Sequence, residues 1–243
     1  MKMLTFSRRC AKEILRDPLN LCFGLGFPLI LLFLLSAMQA NIPVPIFEIN
    51  ALTPGITVFG LSFITLFAAT LISKDRESAF LHRLYTSPLT AIDFIAGYML
   101  PLLPIAIGQA SICYLCAILL GLKPDINILF SIMGIIPIVV FNISMGLMFG
   151  SFLGVKQVGG ICGALLTNLS AWLSGIWFDL ALVGGWFEKI ADLLPFAHAV
   201  KMERALLLGD FRLAFLHCVP VVIYGVFTFI IAVICFLRNM KRQ

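Results

Sequence analysis

Apolar positions in this chain come in long unbroken blocks, separated by short polar intervals. Six blocks stand out, at 20–40, 54–73, 95–121, 127–153, 160–180 and 214–237. A bilayer-crossing helix needs about 20 apolar residues, and each block approaches or exceeds that length. A run such as Phe27-Pro28-Leu29-Ile30-Leu31-Leu32-Phe33-Leu34-Leu35 is apolar on every face, whereas a barrel strand alternates apolar and polar over about 10 residues. Only helices then satisfy the backbone in lipid. The pattern predicts an all-α integral membrane protein, one domain over 1–243 with six transmembrane helices.

The intervals carry their own patterns. In the arm 1–19, Leu4, Ala11, Ile14 and Leu15 recur at helical spacing, and Arg9, Lys12 and Arg16 share another face. This predicts an interfacial helix with its basic side towards anionic headgroups, ended at Asp17-Pro18 because proline disfavours helix just before it. A plain positive anchor is the alternative. In the loop 74–94, the cluster Lys74-Asp75-Arg76-Glu77 precedes a narrow apolar stripe, Phe80, Leu81, Leu84 and Tyr85. Ser87-Pro88 breaks that stripe, and Thr90 with Asp93 resembles a capping box. An amphipathic helix framed by charges suits docking on another protein; lying on the membrane surface is the alternative. In 181–213, Trp186, Phe187, Ile190, Leu193 and Leu194 form one stripe, Pro195 breaks it, and 200–208 forms another. Two half-helices re-entering the outer leaflet are expected, with Trp186 alternatively a member of the interfacial aromatic belt.

Composition and charge sharpen this picture. The 243 residues are 61% hydrophobic and 12% charged, with a mean hydropathy of +1.06, against about 25% charged residues in soluble domains. That excludes a soluble enzyme, a nucleic-acid module and a disordered regulator, so no nucleic-acid partner is expected. Of the 17 lysines and arginines, twelve fall in the arm, the 74–94 loop, the fourth connection and the tail, and five fall opposite. By the positive-inside rule both termini face the cytoplasm, and the net charge of +5 is a topology signal. The basic arm is long for a signal peptide and Met38 occupies the cleavage region, so an uncleaved first span is expected.

Candidate chemistry is sparse. Nearly all seven cysteines lie within spans, Cys113 and Cys116 included, without companion ligands. No lysine, arginine, aspartate or glutamate falls at mid-span, where ion-coupled transporters place them. Ser144 has no histidine at its depth to act as a base. No catalytic residue and no metal site are expected. The alternatives kept open are an intramembrane enzyme and a non-transporting membrane scaffold.

Taken in order, these segments resemble a membrane subunit of the type-2 ATP-binding-cassette (ABC) exporters over nearly the whole chain. Asp17-Pro18 resembles the family's elbow ending, and Pro28 its proline-containing first span. Arg76, Glu77, Arg83, Leu84, Pro88 and Leu89 match the inner-loop pattern Arg-Glu-x-Gly-Thr-x-x-Arg-Leu-x-x-x-Pro-Leu. Ala79-Phe80 replace its Gly-Thr pair, and Tyr98 stands where a lysine is common. Leu194-Pro195 and Arg204-Ala-Leu-Leu-Leu-Gly209 resemble the outer hairpin. The resemblance implies an elbow helix, a cytoplasmic coupling helix between spans 2 and 3, and an outer re-entrant hairpin between spans 5 and 6. It also implies a second permease subunit, identical or not, and a separate pair of ABC ATPases carrying ATP and Mg. The chain itself has no Gly-x-x-x-x-Gly-Lys-Ser/Thr loop, so no cofactor is expected on it. Lys74, Asp75, Arg76, Glu77, Phe80, Leu81, Arg83, Leu84 and Pro88 are the expected coupling residues. Phe59, Phe63 and Phe67 of span 2, with Asn168 and Trp172 of span 5, either line a cargo pathway or pack against neighbours. Trp186, Phe187 and Pro195 are the expected outer gate. The implied function is export of an amphipathic or hydrophobic cargo (peptide, drug or lipid-linked molecule) across the cell membrane.

Overall fold

The computed structural model describes residues 2–42, 47–78 and 91–241, which are mainly helical, with no strand among them. Helix α1 covers Lys2–Leu15. Asp17 breaks the chain there and caps α2, Pro18–Leu21, by accepting from the Asn20 amide. A π-helical stretch, Cys22–Gly26, leads into α3, Phe27–Gln39. Helices α4 (Ile49–Glu77), α5 (Ala91–Leu119) and α6 (Asn127–Phe152) follow. Next comes a continuous helical run made of α7 (Val155–Val158), a π-helical stretch (Gly159–Leu166) and α8 (Thr167–Trp172). Three short helices, α9 (Leu180–Val183), α10 (Gly185–Leu193) and α11 (Pro195–Leu207), precede the long α12 (Phe211–Lys241).

Among the described residues five helices are long and apolar enough to cross a membrane: Cys22–Gln39, Ile49–Glu77, Asp93–Leu119, Asn127–Phe152 and Phe211–Cys235. The block expected as a span over 160–180 does not stay helical to its end. It stops at Trp172, and the following turn passes through Gly175 at φ +72°, a left-handed conformation that favours glycine. The run begins instead at Val155, five residues before the expected start.

Helix α4 is the hub. Its most apolar window is 89% buried, against 22% for the windows of Cys22–Gln39 and α12. Lipid tails are as apolar as leucine, so helix association in a membrane rests on close packing and hydrogen bonds rather than on escape from water. The α4–α6 contact shows both. A Cβ at Gly146 would stand 2.5 Å from the Thr65 carbonyl oxygen, and one at Gly150 would stand 2.7 Å from that of Ala69. The bare Gly146-x-x-x-Gly150 face therefore lets the two backbones meet. Just above, the Thr65 hydroxyl donates to the backbone and side-chain oxygens of Asn142, both at 3.0 Å.

At the opposite end from residue 77, α10 and α11 form a hairpin split at Leu194-Pro195, the break the sequence pattern predicts. Proline suits the first turn of α11, where its missing N–H would have had no partner. The hairpin is tied to α12 by a His198–His217 ring contact (Nδ1 to Nδ1, 2.9 Å) and by Tyr224, whose hydroxyl donates to the Leu193 carbonyl. Arg204 reaches the Ala51 and Gly175 carbonyls at 3.1 Å, joining α11 to the start of α4 and to the turn after α8.

Candidate functional site

Helix α4 has 29 residues, about 43 Å at 1.5 Å per residue, which exceeds the roughly 30 Å of a hydrocarbon core. Its charged end therefore projects past the apolar layer. Four consecutive helical residues point in four directions, about 100° apart, and here each finds a different partner. Lys74 pairs with Asp17 at the α1–α2 junction (3.3 Å). Asp75, 1% exposed, accepts from both terminal nitrogens of Arg9 on α1 and from the Tyr98 hydroxyl on α5 (2.8 Å). Arg76 donates to the Ser151 and Leu153 carbonyls at the end of α6. Glu77 accepts from the Val155 amide at the start of α7 (2.8 Å).

The electrostatics follow helix-end logic. A guanidinium over the last carbonyls of α6 and a carboxylate on the first amide of α7 each oppose the local dipole charge, so Arg76 and Glu77 together clamp the α6–α7 turn. Burial works against the charge on Arg9, but the Asp75 hydrogen bond and charge outweigh it and raise its pKa above the ordinary value. Burial and the nearby Asp75 charge push the Cys10 thiol up to about 12, so it remains neutral. Partial burial of Asp17 is overcome by the Asn20 amide and Lys74, which hold its carboxyl below the usual value. On the other side of α1, Arg8, Lys12 and Arg16 are exposed beside exposed Leu4 and Leu15.

The structure thus turns the hydrogen-bonding groups of the four charged coupling residues towards elements of this same chain. Phe80, Leu81, Arg83, Leu84 and Pro88 lie outside the described residues. The α4 stripe Phe59, Phe63 and Phe67 is buried. Phe27 of α3 packs on two of its rings (centroids 6.0 and 6.2 Å) and Trp177 packs on Phe59. Asn168 and Trp172 are exposed, Trp172 at 55%, on a face that also carries exposed Leu165 and Leu169. The two stripes therefore do not share one lining within the subunit. In the hairpin, Trp186 is 81% exposed with Lys189 over its ring, Phe187 rests near Phe178, and Pro195 is buried.

Three residues that carry structure escaped the pattern of the sequence. Arg9 and Tyr98 join Asp75 across 66 and 23 positions of chain, which no local period reveals. Glu203, within the 200–208 stripe, is fully buried and holds the Tyr114 hydroxyl at 3.1 Å. Gly146-x-x-x-Gly150 did carry a readable signal, the small-residue spacing of packed membrane helices. Among the described residues no group of three or more histidine, cysteine, aspartate or glutamate residues could hold a metal ion.

An all-helical, multi-pass membrane protein with five spanning-length helices is the class this architecture defines. The profile of the ABC-2 type transporter family matches residues 1–208, and the chain belongs to that family. It is 27% identical over 162 residues to the daunorubicin resistance ABC transporter permease protein DrrB1 of Streptomyces coeruleorubidus, a match covering 64% of this chain and 56% of that protein. The chain thus aligns with little more than half of that relative's length. It is also 26% identical over 227 residues to a protein named as transport permease ycf38 in Pyropia yezoensis (89% of this chain, 77% of that one). A ycf38 protein of Porphyra purpurea is 27% identical over 209 residues, 81% of this chain and 70% of the relative. A transport permease is not itself an enzyme, and the family implies in general an ABC ATPase partner and a dimeric arrangement.

Proposed function

We propose that this chain is the six-span transmembrane subunit of an ATP-driven exporter, with the run 155–172 and the turn after it as the fifth crossing. Both termini and the 74–94 loop face the cytoplasm in this reading, as the twelve-to-five bias of basic residues favours. A partner ATPase pair binding ATP and Mg grips the loop 79–90 and moves it, and a second permease subunit completes the pathway. The observation that carries the reading is the end of α4, which leads into that loop and is bonded to α1, α5, α6 and α7 at once. Force applied to the loop reaches every one of these elements through side-chain bonds, with no free hinge at residues 74–77. The cargo is an amphipathic or hydrophobic molecule, in keeping with the exposed apolar face Leu165, Leu169 and Trp172 and with the daunorubicin resistance named for one relative. The α10–α11 hairpin, with Trp186, Phe187 and Pro195, closes the exit side.

The test is co-reconstitution of the full-length permease with its ATPase in liposomes. ATP-dependent movement of a fluorescent amphiphile, absent with a hydrolysis-dead ATPase, is expected. An ATPase that binds the permease and hydrolyses ATP without moving any amphiphile would identify a scaffold instead.

A further inference from the structure

Glu203 sits in a place where a charge is costly. Its carboxyl is wholly inside the protein, on α11, pressed against α5 and α6. Oε2 accepts from the Tyr114 hydroxyl, while Oε1 has no hydrogen-bond partner among the described residues. That oxygen is 3.4 Å from where a Cβ at Gly134 would stand, one turn along α6 from Ser131, whose hydroxyl is also buried, beside that of Tyr114. Tyr114 lies five residues from the end of α5, and Ser131 four residues from the start of α6, so the site is roughly 6–8 Å below those helix ends.

No positive charge faces it. Helix α6 carries no ionisable residue. The charges of α4 lie at its far end, as do Asp93 and the Asp75-bound Tyr98 of α5. Within the hairpin, Lys201 pairs with Asp192 (2.6 Å), and Glu188 and Lys189 lie towards the surface. Arg204 spends its donors on the Ala51 and Gly175 carbonyls. On α12, Arg212 is exposed, His217 faces His198, and the Tyr224 hydroxyl is bound to Leu193. An isolated buried carboxylate is far more costly than a neutral acid, and the group takes up a proton instead.

We propose that Glu203 is a proton-binding latch: its neutral carboxyl docks the α10–α11 hairpin on α5 and α6, and loss of that proton releases the hairpin. A proton on Oε1 puts a donor on the face of α6 that carries the buried Ser131 hydroxyl, while the other oxygen keeps the Tyr114 bond. Ionisation removes the donor and leaves a bare charge in a dry site, relieved only if α11 moves towards water. This holds whether or not the hairpin gates a cargo.

The sign is fixed by linkage. Burial raises the Glu203 pKa from 4.5 to about 8, with the Tyr114 bond opposing. The docked state therefore holds a proton that the released state loses, and docking is strongest below about 4.5. Release grows by about tenfold per pH unit between those two values and levels off above the higher one. Hydrogen–deuterium exchange of the full-length protein in lipid nanodiscs, corrected for intrinsic chemistry, should show this rise in the 195–207 segment between pH 5 and 8. Glu203→Gln, neutral at every pH, should exchange slowly with no such rise. Tyr114→Phe removes a bond that favours the charged form, so its rise should extend to higher pH. A pH-independent wild type, or a Glu203→Gln protein with the same rise, overturns the latch. If Glu203→Gln does not fold, an unmoved Tyr114→Phe profile overturns it.

Discussion

At the scale of single residues, Asp75 sits at the centre of a well-connected polar group. It is nearly inaccessible, yet fully partnered, with a two-pronged guanidinium on one side and a phenol on the other. Phe6 packs edge-on against the Tyr98 ring (4.9 Å) and so holds the phenol in place. Breaking a charge-assisted bond of this kind costs about 1–2 kcal/mol once solvent screening of the 35%-exposed Arg9 is allowed for. Asp75→Asn should lower the thermal unfolding midpoint of the detergent-solubilised protein, and Tyr98→Phe should do so by less. Arg9→Gln combined with Asp75→Asn should cost clearly less than the two single changes added together, because both remove the same bond. Strict additivity in that cycle would show that the pair contributes nothing beyond its separate parts.

At the scale of elements, glycines separate contact from open space. Gly146 of α6 sits where any side chain would strike the Thr65 carbonyl, while Gly159 and Gly160 of the π-helical stretch face nothing within 4 Å. Gly146→Leu must push α4 and α6 apart, whereas Gly160→Ala adds a methyl to empty space. Overpacking costs about 1–3 kcal/mol or more, so Gly146→Leu should reduce the folded yield sharply, measured by monodisperse protein on size exclusion. Gly160→Ala should match the wild type, and an equal loss from both would show that helix propensity rather than packing is at issue. The same elements show what sequence can and cannot reveal. The blocks 20–40, 54–73, 95–121, 127–153 and 214–237 each fall largely within a helix of spanning length, because continuous apolarity is a local property. The end of the fifth block is not local in that sense, since the turn at Gly175 is held by Arg204 from another helix. Glu203 escaped for a related reason. The 200–208 stretch reads as a short apolar stripe, and only the docking of α11 on α5 and α6 buries the acid it carries.

At the scale of the whole molecule, the polar bonds concentrate at two ends of the bundle. One end gathers Arg9, Asp17, Lys74–Glu77, Tyr98 and the α6–α7 turn, and the other gathers Arg204, Glu203, Tyr114 and the hairpin. Between them runs α4, buried over most of its length, so in the proposed complex a displacement imposed at residue 77 would pass through one packed rod to the far end. This arrangement separates two jobs that the sequence had assigned to one cluster. In the proposed complex, docking would fall to the apolar stripe Phe80, Leu81 and Leu84. Transmission would fall to residues 74–77, whose bonds stay within the chain. Leu84→Asp should therefore abolish co-purification of the ATPase, because an apolar contact is replaced by a charge with no counterpart. Glu77→Lys should leave co-purification intact yet abolish ATP-dependent transport. It places a cation on the first amide of α7, unclamping the α6–α7 turn from the rod without touching the docking stripe. None of these positions lies within the hydrocarbon-spanning part of α4, so both variants should reach the membrane in normal amount. If Glu77→Lys instead loses the ATPase as Leu84→Asp does, residue 77 is a docking contact after all. If it transports normally, the joint at the end of α4 carries no force.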